Sequence, residues 1–315
     1  MHLLVATEVD RALTSRQPVV ALESTIISHG LPKASRLTAA LEFESLVRNN
    51  GAVPATIAVL DGVARIGLSE SEIEQLSDDS VFKASVRDLP VLAAKRLNGA
   101  TTVAATAYLA ALAGIRIFAT GGLGGVHRGA QLSFDESADL STLATTPVAV
   151  FAAGVKSILD IQATLERLET LSVPVIGYQT SEFPAFWLRT SGIALDWRAE
   201  SPLEIARIIQ SQRQLHAKGA TAAPGLVVAN PIPVSQQWDQ KTHDAVIDQA
   251  LELAATQGIQ GKAVTPFLLQ KIVELSDGKS LEVNLDLVRN NIRLASEVAA
   301  ALSQIPDESH EVRRS

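Results

Sequence analysis

The sequence predicts an α/β protein whose β-sheet is largely buried. Short apolar runs alternate with longer amphipathic segments, which is the pattern of strands covered by helices. Several apolar runs end in turn-forming pairs, namely Asp61-Gly62, Gly121-Gly122 and Asn230-Pro231. A hydrophobic content of 47% with 19% charged residues is typical of a compact globular chain. Because no repeat or long linker interrupts the 315 residues, we expect a single domain over residues 1–315.

The apolar runs and the amphipathic segments predict strands and helices in alternating order. The apolar runs expected to form strands are Val19–Ser24, Thr56–Leu60, Ile115–Thr120, Val148–Ala152, Val173–Tyr178 and Leu226–Ala229. The amphipathic segments expected to form helices are Ser35–Asn49, Thr101–Ala113, Ser157–Thr170, Leu203–His216 and His243–Ala255. In open α/β sheets ligands bind at the carboxyl ends of the strands, so polar residues there are the candidates for function.

The last third of the chain is predicted to be helical. Thr265-Pro266 has the pattern of an N-cap followed by a proline in the first helical turn. Asp277-Gly278 is expected to end that helix before another begins near Ser280. The polar tail, residues 306–315, is expected to fray.

Charge and cysteine content exclude several classes of function. Lys and Arg number 27 against 34 Asp and Glu, a net charge of −7 without any dense basic cluster, so no nucleic-acid partner is expected. The absence of cysteine excludes disulfides, thiolate metal sites and cysteine nucleophiles. The charged N-terminus is no signal peptide, and the apolar stretch Ala104–Ile115 is shorter than the ~20 residues of a membrane span. We therefore expect a cytoplasmic protein that binds no membrane.

Lys156 is the candidate nucleophile. It lies alone in the apolar run Ala149–Leu159, which reads as a buried strand that turns into a helix through Gly154. A lysine placed there must find a partner or lose its charge, because desolvation disfavours the ammonium form. A neutral amine at a strand end attacks carbonyl-type carbon. The alternative is a lysine that extends to the surface or pairs with a core carboxylate.

A glycine-rich segment follows the strand predicted at Ile115–Thr120. Residues 121–129 contain five glycines together with His127 and Arg128, a composition that suits a phosphate-binding nest of backbone amides. It is neither a Walker A loop nor a dinucleotide-binding fingerprint. The alternative is a turn whose glycines relieve crowding at the edge of the sheet.

Three carboxylates follow in the segment Ser133–Asp139. Oxygen ligands of this kind suit a hard divalent cation such as Mg²⁺ or Mn²⁺. The alternative is that Asp135 or Asp139 caps a helix.

Two further charged residues are candidates. Glu23 is a lone carboxylate at the end of the first predicted strand, where burial would suit it to acid–base catalysis, or else to holding backbone amides. Lys83 precedes Pro90 in what reads as a loop, which either holds a phosphate or is simply solvated. No zinc-ligand spacing and no Gly-x-Ser-x-Gly elbow occurs. These candidates are compatible with imine chemistry on a phosphorylated sugar or a related carbonyl compound. They comprise one amine, one acid–base carboxylate, one oxygen-ligand metal site and two candidate phosphate sites.

These segments together resemble the pseudouridine-5′-phosphate glycosidase family, also called the indigoidine synthase A family. The resemblance extends from about Val19 to Leu302, and it is the combination of motifs that is specific. The motifs that carry it are ALESTIISHGLP (Ala21–Pro32), KASVRDLP (Lys83–Pro90), GATTVAAT (Gly99–Thr106), TGGLGGVHRGA (Thr120–Ala130), FDESADL (Phe134–Leu140), AGVKSILD (Ala153–Asp160), GYQTSEFPAF (Gly177–Phe186), VVANPIP (Val227–Pro233) and GKAVTPFLL (Gly261–Leu269).

The resemblance implies a three-layer α/β/α fold with a mixed, mostly parallel sheet, and typically a homotrimer. It implies reversible cleavage of the C–C glycosidic bond of pseudouridine 5′-phosphate by water, which yields uracil and ribose 5-phosphate. In such enzymes Lys156 would attack C1′ and form an imine-linked, ring-opened intermediate, and Glu23 would be the proton donor and later the base. Asp135 would bind one Mn²⁺ per subunit, largely through water. The residues expected to contact the substrate are Lys83, Val103, Thr120, His127, Ser137, Ala138, Asp139 and Asn284.

Two other functions remain compatible with the residues. An imine-forming lyase or aldolase could act on another sugar phosphate, without dependence on a uracil base. A non-catalytic homologue could use the same pocket to bind a nucleotide, although such a protein needs no buried nucleophile.

Overall fold

The computed structural model describes residues 1–78, 80–216, 223–259 and 264–306. The strands of these ranges are β1 (Leu3–Val5), β2 (Val19–Leu22), β3 (Val53–Leu60), β4 (Val63–Ile66), β5 (Phe82–Ala84), β6 (Gly99–Thr101), β7 (Ile117–Ala119), β8 (Val126–His127), β9 (Ala149–Ala152), β10 (Leu159–Asp160), β11 (Val175–Tyr178), β12 (Trp197–Ala199) and β13 (Leu226–Ala229).

The helices of the same ranges are α1 (Thr7–Thr14), α2 (Thr25–Gly30), α3 (Lys33–Asn49), α4 (Glu70–Leu76), α5 (Leu89–Lys95), α6 (Val103–Leu112), α7 (Ala130–Ser133), α8 (Ala138–Leu143), α9 (Ile161–Thr170), α10 (Pro202–His216), α11 (Gln240–Thr256), α12 (Val264–Leu275) and α13 (Lys279–Gln304). A short 3₁₀ helix covers Val86–Asp88. None of these helices has the length and apolar character that crossing a bilayer requires, as far as the described ranges go.

The sheet is mixed and mostly parallel, which confirms the expectation from the resemblance. Its strand order is β1-β4-β3-β2-β7-β9-β13-β11-β12, and β6 pairs with both β3 and β5. Strand β3 runs antiparallel to β4 and β6, whereas the other pairs of this sheet are parallel. Strands β8 and β10 form a separate antiparallel pair.

Helices cover both faces of the sheet, which confirms the three-layer α/β/α fold. Side chains alternate in direction along a strand, so Val20 and Leu22 face one layer while Ala21 faces the other. The first layer comes from α3, α10 and α13, and the second is built mainly from α6, α9 and α11. The central strands β2, β9 and β13 are buried along their whole length, as expected for a sheet covered on both faces.

The predicted elements are present, and two of the predicted helix starts were wrong. The helix predicted from Ser157 begins at Ile161, because Leu159 and Asp160 pair with β8 and the Asp160 side chain caps α9 by accepting from the Ala163 amide at 2.9 Å. The predicted break at Asp277-Gly278 is confirmed, since Gly278 is the residue before α13. The N-cap predicted at Thr265 is wrong, because α12 includes Val264 and Thr265 therefore lies within the helix. Residues 261–263 and the tail from 307 lie outside the described residues.

The segment Lys83–Pro90 was predicted to be a loop, and this was wrong. Lys83 lies on β5, which pairs with β6 in parallel, and a short 3₁₀ helix and α5 follow it. The β5 and β6 strands are three residues each, too short to show a clear period-2 pattern in the sequence. This pairing brings Lys83 to the carboxyl end of the central strands.

A topological switch point lies between β2 and β7. From β2 the chain continues through α3 to β3 on one side, whereas from β7 it continues to β9 on the other side. In doubly wound sheets such a point opens a crevice at the carboxyl ends of the two strands, and ligands bind there. Glu23 and Thr120 are the residues that follow β2 and β7 at this crevice.

A buried asparagine on α13 joins the helix to the ends of two strands. Asn291 is fully buried, and its Nδ2 donates to the carbonyl of Thr120 at 2.6 Å. Its Oδ1 accepts from Asn230 Nδ2 at 3.0 Å, and Asn230 follows β13. The network therefore fixes the carboxyl edge of the sheet from the side of α13.

We expect Asn291→Ala to lower the free energy of unfolding by about 1–3 kcal/mol, because it removes the partners of buried polar groups on two strands. Urea unfolding followed by circular dichroism measures this change. Arg293→Ala on the exposed face of the same helix is the matched control, expected to change stability by less than about 0.5 kcal/mol. Equal effects of the two substitutions would show that the asparagine network does not hold the strand ends.

Candidate active site

Lys156 is fixed at the carboxyl edge by the backbone on either side of it. After β9 the chain turns at Gly154, whose φ is +89°. A Cβ on this glycine would lie 2.2 Å from the Pro184 carbonyl oxygen, so only glycine fits the turn. The Lys156 amide donates to the Leu123 carbonyl at 3.1 Å, and the Leu123 amide donates to the Gly154 carbonyl at 2.9 Å. The half-buried Lys156 therefore lies against the loop that follows β7.

Glu23 is a buried carboxyl beside two lysines. It is 9% exposed, and the Thr120 hydroxyl donates a hydrogen bond to its Oε1. Burial raises the pKa of Glu23 above the usual 4.5, and the negative charge of Asp139 acts in the same direction. The positive charges of Lys156 and Lys83 and the hydrogen bond from Thr120 oppose this rise. The structure thus brings Glu23, Lys83, Thr120 and Lys156 into one cluster, in which Glu23 and Lys156 follow the ends of predicted strands and Lys83 arrives from a strand that was not predicted.

Lys83 reaches this cluster from β5. Although much of its side chain is accessible to solvent, desolvation of the ammonium group lowers its pKa below 10.5, and the nearby charge of Lys156 lowers it further. Glu23 and Asp139 oppose this shift. The Lys83 ammonium is therefore suited to binding an anionic group of a ligand. The negative charge of that group would offset the repulsion between Lys83 and Lys156.

Asp139 joins the start of α6 to the glycine-rich loop, close enough to Glu23 for its charge to act on that carboxyl. It is 5% exposed; its Oδ1 accepts from the Ala104 amide at 2.9 Å and its Oδ2 from the Gly124 amide at 2.8 Å. Ala104 lies in the first turn of α6, where a negative charge is favourable to the helix dipole. Ser137 caps α8 by accepting from the Asp139 amide at 3.2 Å. The predicted pocket residues Val103, Ser137, Ala138 and Asp139 therefore meet at the starts of α6 and α8.

The glycine-rich loop is packed closely against its neighbours. A Cβ on Gly122 would lie 2.4 Å from the Phe186 ring, and one on Gly124 would lie 2.3 Å from Ser137 Oγ. A Cβ on Gly125 would meet Thr164 Oγ1 at 2.4 Å. These distances support the interpretation in which the glycines relieve crowding.

Four amides of the loop already have acceptors within the protein. The Leu123 amide donates to a backbone carbonyl, and the Gly124 amide donates to Asp139. The Val126 amide donates to Thr164 Oγ1 at 2.9 Å, and the His127 amide donates to the Asp135 carbonyl at 3.0 Å. A phosphate nest built from these amides is therefore not supported.

The three carboxylates of residues 135–139 point to different partners. Glu136 pairs with Arg167 at 2.9 Å, and Asp139 binds backbone amides. Asp135 remains, with His127 Nδ1 4.0 Å from its Oδ2. In the parts of the chain that the structure describes, no three His, Asp or Glu side chains are grouped to enclose a metal. The arrangement fits only an ion that Asp135 holds while water fills most of the coordination shell, as Mg²⁺ often does.

Asn284 lies on α13 and is oriented by a tryptophan. Trp187 Nε1 donates to Asn284 Oδ1 at 2.8 Å, which leaves the NH₂ group of the amide as a donor for other partners. Trp187 itself is fully buried beside Phe186, whose amide donates to the Ala153 carbonyl ahead of Lys156. Asn284 is thereby connected to the segment that carries the lysine.

The sequence profile of the family described as "Indigoidine synthase A like protein" matches residues 8–301. The chain belongs to this family.

Relatives in the family are similar over nearly their whole length. The chain is 51% identical over 306 residues to a pseudouridine-5′-phosphate glycosidase of Caldanaerobacter subterraneus subsp. tengcongensis, which covers 97% of this chain and 98% of the relative. It is 55% identical over 298 residues to a protein of the same name from a Nocardioides species, which covers 94% and 95% respectively.

A solved structure has the same fold. The prealnumycin C-glycosynthase AlnA, solved in complex with ribulose 5-phosphate, superposes with a TM-score of 0.88 at 36% identity. The match covers 96% of this chain and 97% of AlnA.

Two residues that shape the site of this family member, Asn291 and Trp187, were not identified from the sequence. Asn291 and Asn230 are joined across 61 positions, and Trp187 and Asn284 across 97, so no local pattern reports these pairs. The signal that the sequence offers for such residues is a polar residue within or next to a mainly apolar stretch, such as the asparagine that follows β13.

The raised pKa of Glu23 predicts a pH-dependent cost to stability. Between 4.5 and the raised pKa the folded protein binds more protons at Glu23 than the unfolded chain does, so the free energy of unfolding falls as pH rises through this window. Glu23→Gln removes the ionisation, and we expect this variant to gain stability relative to the wild type as pH rises from 4.5, then to level off. Urea unfolding at a series of pH values measures the difference.

The lowered pKa of Lys83 has the opposite effect on stability. Between that pKa and 10.5 the unfolded chain binds more protons at Lys83 than the folded protein does, so the free energy of unfolding rises with pH. A Glu23→Gln variant whose stability difference from the wild type stays constant over the acidic window would contradict a buried, shifted Glu23.

Proposed function

We propose that the protein is a pseudouridine-5′-phosphate glycosidase, which cleaves the C–C bond between ribose C1′ and uracil C5. The observation that supports this most is the buried Glu23 carboxyl beside Lys156 and Lys83 at the switch point of the sheet. Membership of the family and the names of its close relatives supply the substrate. AlnA is named as a C-glycosynthase, and forming a C-glycosidic bond is the reverse of this reaction.

The first step opens the ribose ring. Lys156 first transfers its ammonium proton to the Glu23 carboxylate. Its free amine then attacks C1′, the C1′–O4′ bond breaks, and the proton lost by the new C1′–N group is taken up by O4′. An ordinary glycosidase protonates a leaving oxygen, whereas the leaving atom here is a carbon. Ring opening is needed because nitrogen, once attached to C1′, can later supply the electrons that expel uracil.

The second step breaks the C–C bond. Glu23 donates its proton to uracil C5, which uses the electrons of the C5–C6 double bond. The C1′–C5 bond then breaks and restores that double bond, while the lone pair on Lys156 nitrogen forms the C1′=N imine. A carboxyl whose pKa is raised by burial is suited to this donation near neutral pH.

The third step releases the sugar. The Glu23 carboxylate takes a proton from a water molecule as that water adds to C1′ of the imine, which restores the acid form. Collapse of the adduct frees Lys156 and the aldehyde of ribose 5-phosphate. The balance is one substrate and one water converted to uracil and ribose 5-phosphate, and each step is reversible.

The remaining site residues would bind and orient the substrate. Lys83 supplies a positive charge for an anionic group, and His127 is the second candidate for this role. The Asn284 amide, oriented by Trp187, presents its NH₂ group to an acceptor such as a uracil oxygen. Thr120 positions Glu23 through its hydroxyl and is the residue at the end of β7.

We further propose that Asp135 binds one Mn²⁺ per subunit mainly through water molecules, since it lies beside His127 and apart from Glu136 and Asp139. When bound, the ion would supply positive charge close to the substrate. A homotrimer and a cytoplasmic location complete the proposal; both come from the resemblance and the composition.

The reaction is tested by product analysis after incubation with pseudouridine 5′-phosphate and Mn²⁺. We expect uracil and ribose 5-phosphate in equal amounts, and loss of turnover on the order of 10³-fold or more in Lys156→Ala, because the attacking atom is removed. Lys95→Ala, at an exposed lysine on α5, is the matched control and should keep wild-type turnover.

Wild-type turnover in Lys156→Ala would show that Lys156 is not the nucleophile. Cleavage of ribose phosphates that lack the uracil base, by an enzyme inactive on pseudouridine 5′-phosphate, would favour a different lyase. Ligand-induced thermal stabilisation without any product would instead favour a nucleotide-binding protein.

Asp135→Asn tests the metal. We expect chelation to abolish activity and Mn²⁺ to restore it in the wild type, with the variant needing about tenfold or more Mn²⁺ because a charged ligand is lost. Glu136→Gln, which alters the Arg167 pair next to it, is the control and should respond to Mn²⁺ as the wild type does. Full activity in the presence of a chelator would show that the reaction needs no metal bound by Asp135.

A further inference from the structure

A hydrogen bond from a buried indole fixes which end of the Asn284 amide can meet a ligand. Trp187 Nε1 donates to Asn284 Oδ1 at 2.8 Å. An indole N–H is a donor only, so the amide must turn its carbonyl oxygen towards Trp187 and its NH₂ group away from it. Asn284 is half-buried, so it is not sealed within the core.

Three aromatic rings hold the Trp187 indole in place. Its centroid is 5.2 Å from the Phe186 ring, 4.8 Å from the Trp238 ring and 6.0 Å from the His243 ring, which meets it edge-on at 74°. Trp187 is 1% exposed, and its backbone carbonyl accepts from the Trp238 amide at 3.0 Å. Turning the indole would displace these rings from a close-packed core. The direction of the N–H bond is therefore set before any ligand arrives.

Asn284 lies on the face of α13 that meets the carboxyl edge of the sheet. Asn284, Val288 and Asn291 are four and seven residues apart, a spacing that places side chains on one face of a helix. Asn291 binds the end of β7, and Val288 Cγ2 lies 3.4 Å from where a Cβ on Gly121 would be. Phe186 packs against the same glycine-rich loop. Asn284 is therefore placed beside the loop on which Lys156 rests.

We propose that Trp187 makes Asn284 select a base that presents a keto oxygen and reject one that presents an amino group in its place. This selection rests on the proposed function, because it specifies which C-nucleotide the same site accepts. The NH₂ group of the amide donates to a keto oxygen, whereas it meets an amino group donor to donor. An amide free to turn over would suit either base, since turning exchanges its donor for its acceptor. Trp187 is thus a positioning residue that acts through Asn284.

Competing substrates test this selection. Pseudocytidine 5′-phosphate and pseudoisocytidine 5′-phosphate each replace one keto oxygen of the uracil base by an amino group, at C4 and at C2 respectively. We expect kcat/KM of the wild type to favour pseudouridine 5′-phosphate over at least one of them by about tenfold or more, because the mismatch leaves polar groups unpaired.

Trp187→Phe keeps an aromatic ring and removes the donor, so this preference should fall by about fivefold or more. A merely structural loss would lower kcat/KM for both substrates and leave their ratio unchanged. Differences in the intrinsic reactivity of the bases cancel, because the same ratio is compared between wild type and variant.

Trp238→Phe is the matched control, since it makes the same substitution in the same aromatic cluster. In the part of the chain that the structure describes, Trp238 Nε1 has no hydrogen-bond partner, so this change removes no bond to Asn284. We expect the ratio to stay within about twofold of the wild-type value. Circular dichroism verifies that each variant is folded.

Asn284→Asp tests the reading group itself. One carboxylate oxygen can still accept from Trp187, and the other can only accept as well, so the preference should shift towards the amino base by about tenfold or more.

The outcomes separate this inference from the proposed function. A wild type that releases no uracil from pseudouridine 5′-phosphate would contradict the function, and the selection with it. If the wild type does release uracil, the selection alone is overturned by equal kcat/KM for all three substrates, by an unchanged ratio in Trp187→Phe, by an equal fall in Trp238→Phe, or by Asn284→Asp without the shift.

Discussion

The burial of the Glu23 carboxyl is the constraint on which the site depends. A carboxyl at the end of β2 loses its water when the layers close over the sheet, so its proton is held more tightly than in solution. The nearby lysines limit this effect, since their charges favour the ionised form. A group balanced in this way can both donate and accept a proton during one reaction. Its cost is a folded state that becomes less stable as the carboxyl ionises.

The fold supplies the groups that maintain this balance. Strands β2, β7 and β9 are neighbours and parallel, so Glu23, Thr120 and Lys156 reach the same edge. Asp139 fixes the start of α6 against the glycine-rich loop through two backbone amides. Asn291 fixes the same edge from α13. Close packing of the loop glycines leaves little freedom for these groups to separate.

The sequence predicted the part of this arrangement that depends on local pattern. Apolar runs revealed the central strands, and polar residues just after them identified Glu23 and Lys156. The placement of Lys83 could not be found in this way, because β5 and β6 are short and pair with partners distant in the chain. Likewise, three adjacent carboxylates suggested one metal site, whereas Arg167 and the amides of two distant segments take two of them. Long-range partners decide such cases, and a single sequence does not report them.

Lys156 is proposed to form an imine with C1′ of the sugar. Borohydride added during turnover reduces an imine to a stable amine, and peptide mass spectrometry then locates the modified residue. We expect a ribose 5-phosphate adduct on the peptide that contains Lys156, and none when substrate is omitted. An unmodified Lys156 under conditions of active turnover, or an adduct confined to Lys83, would contradict it.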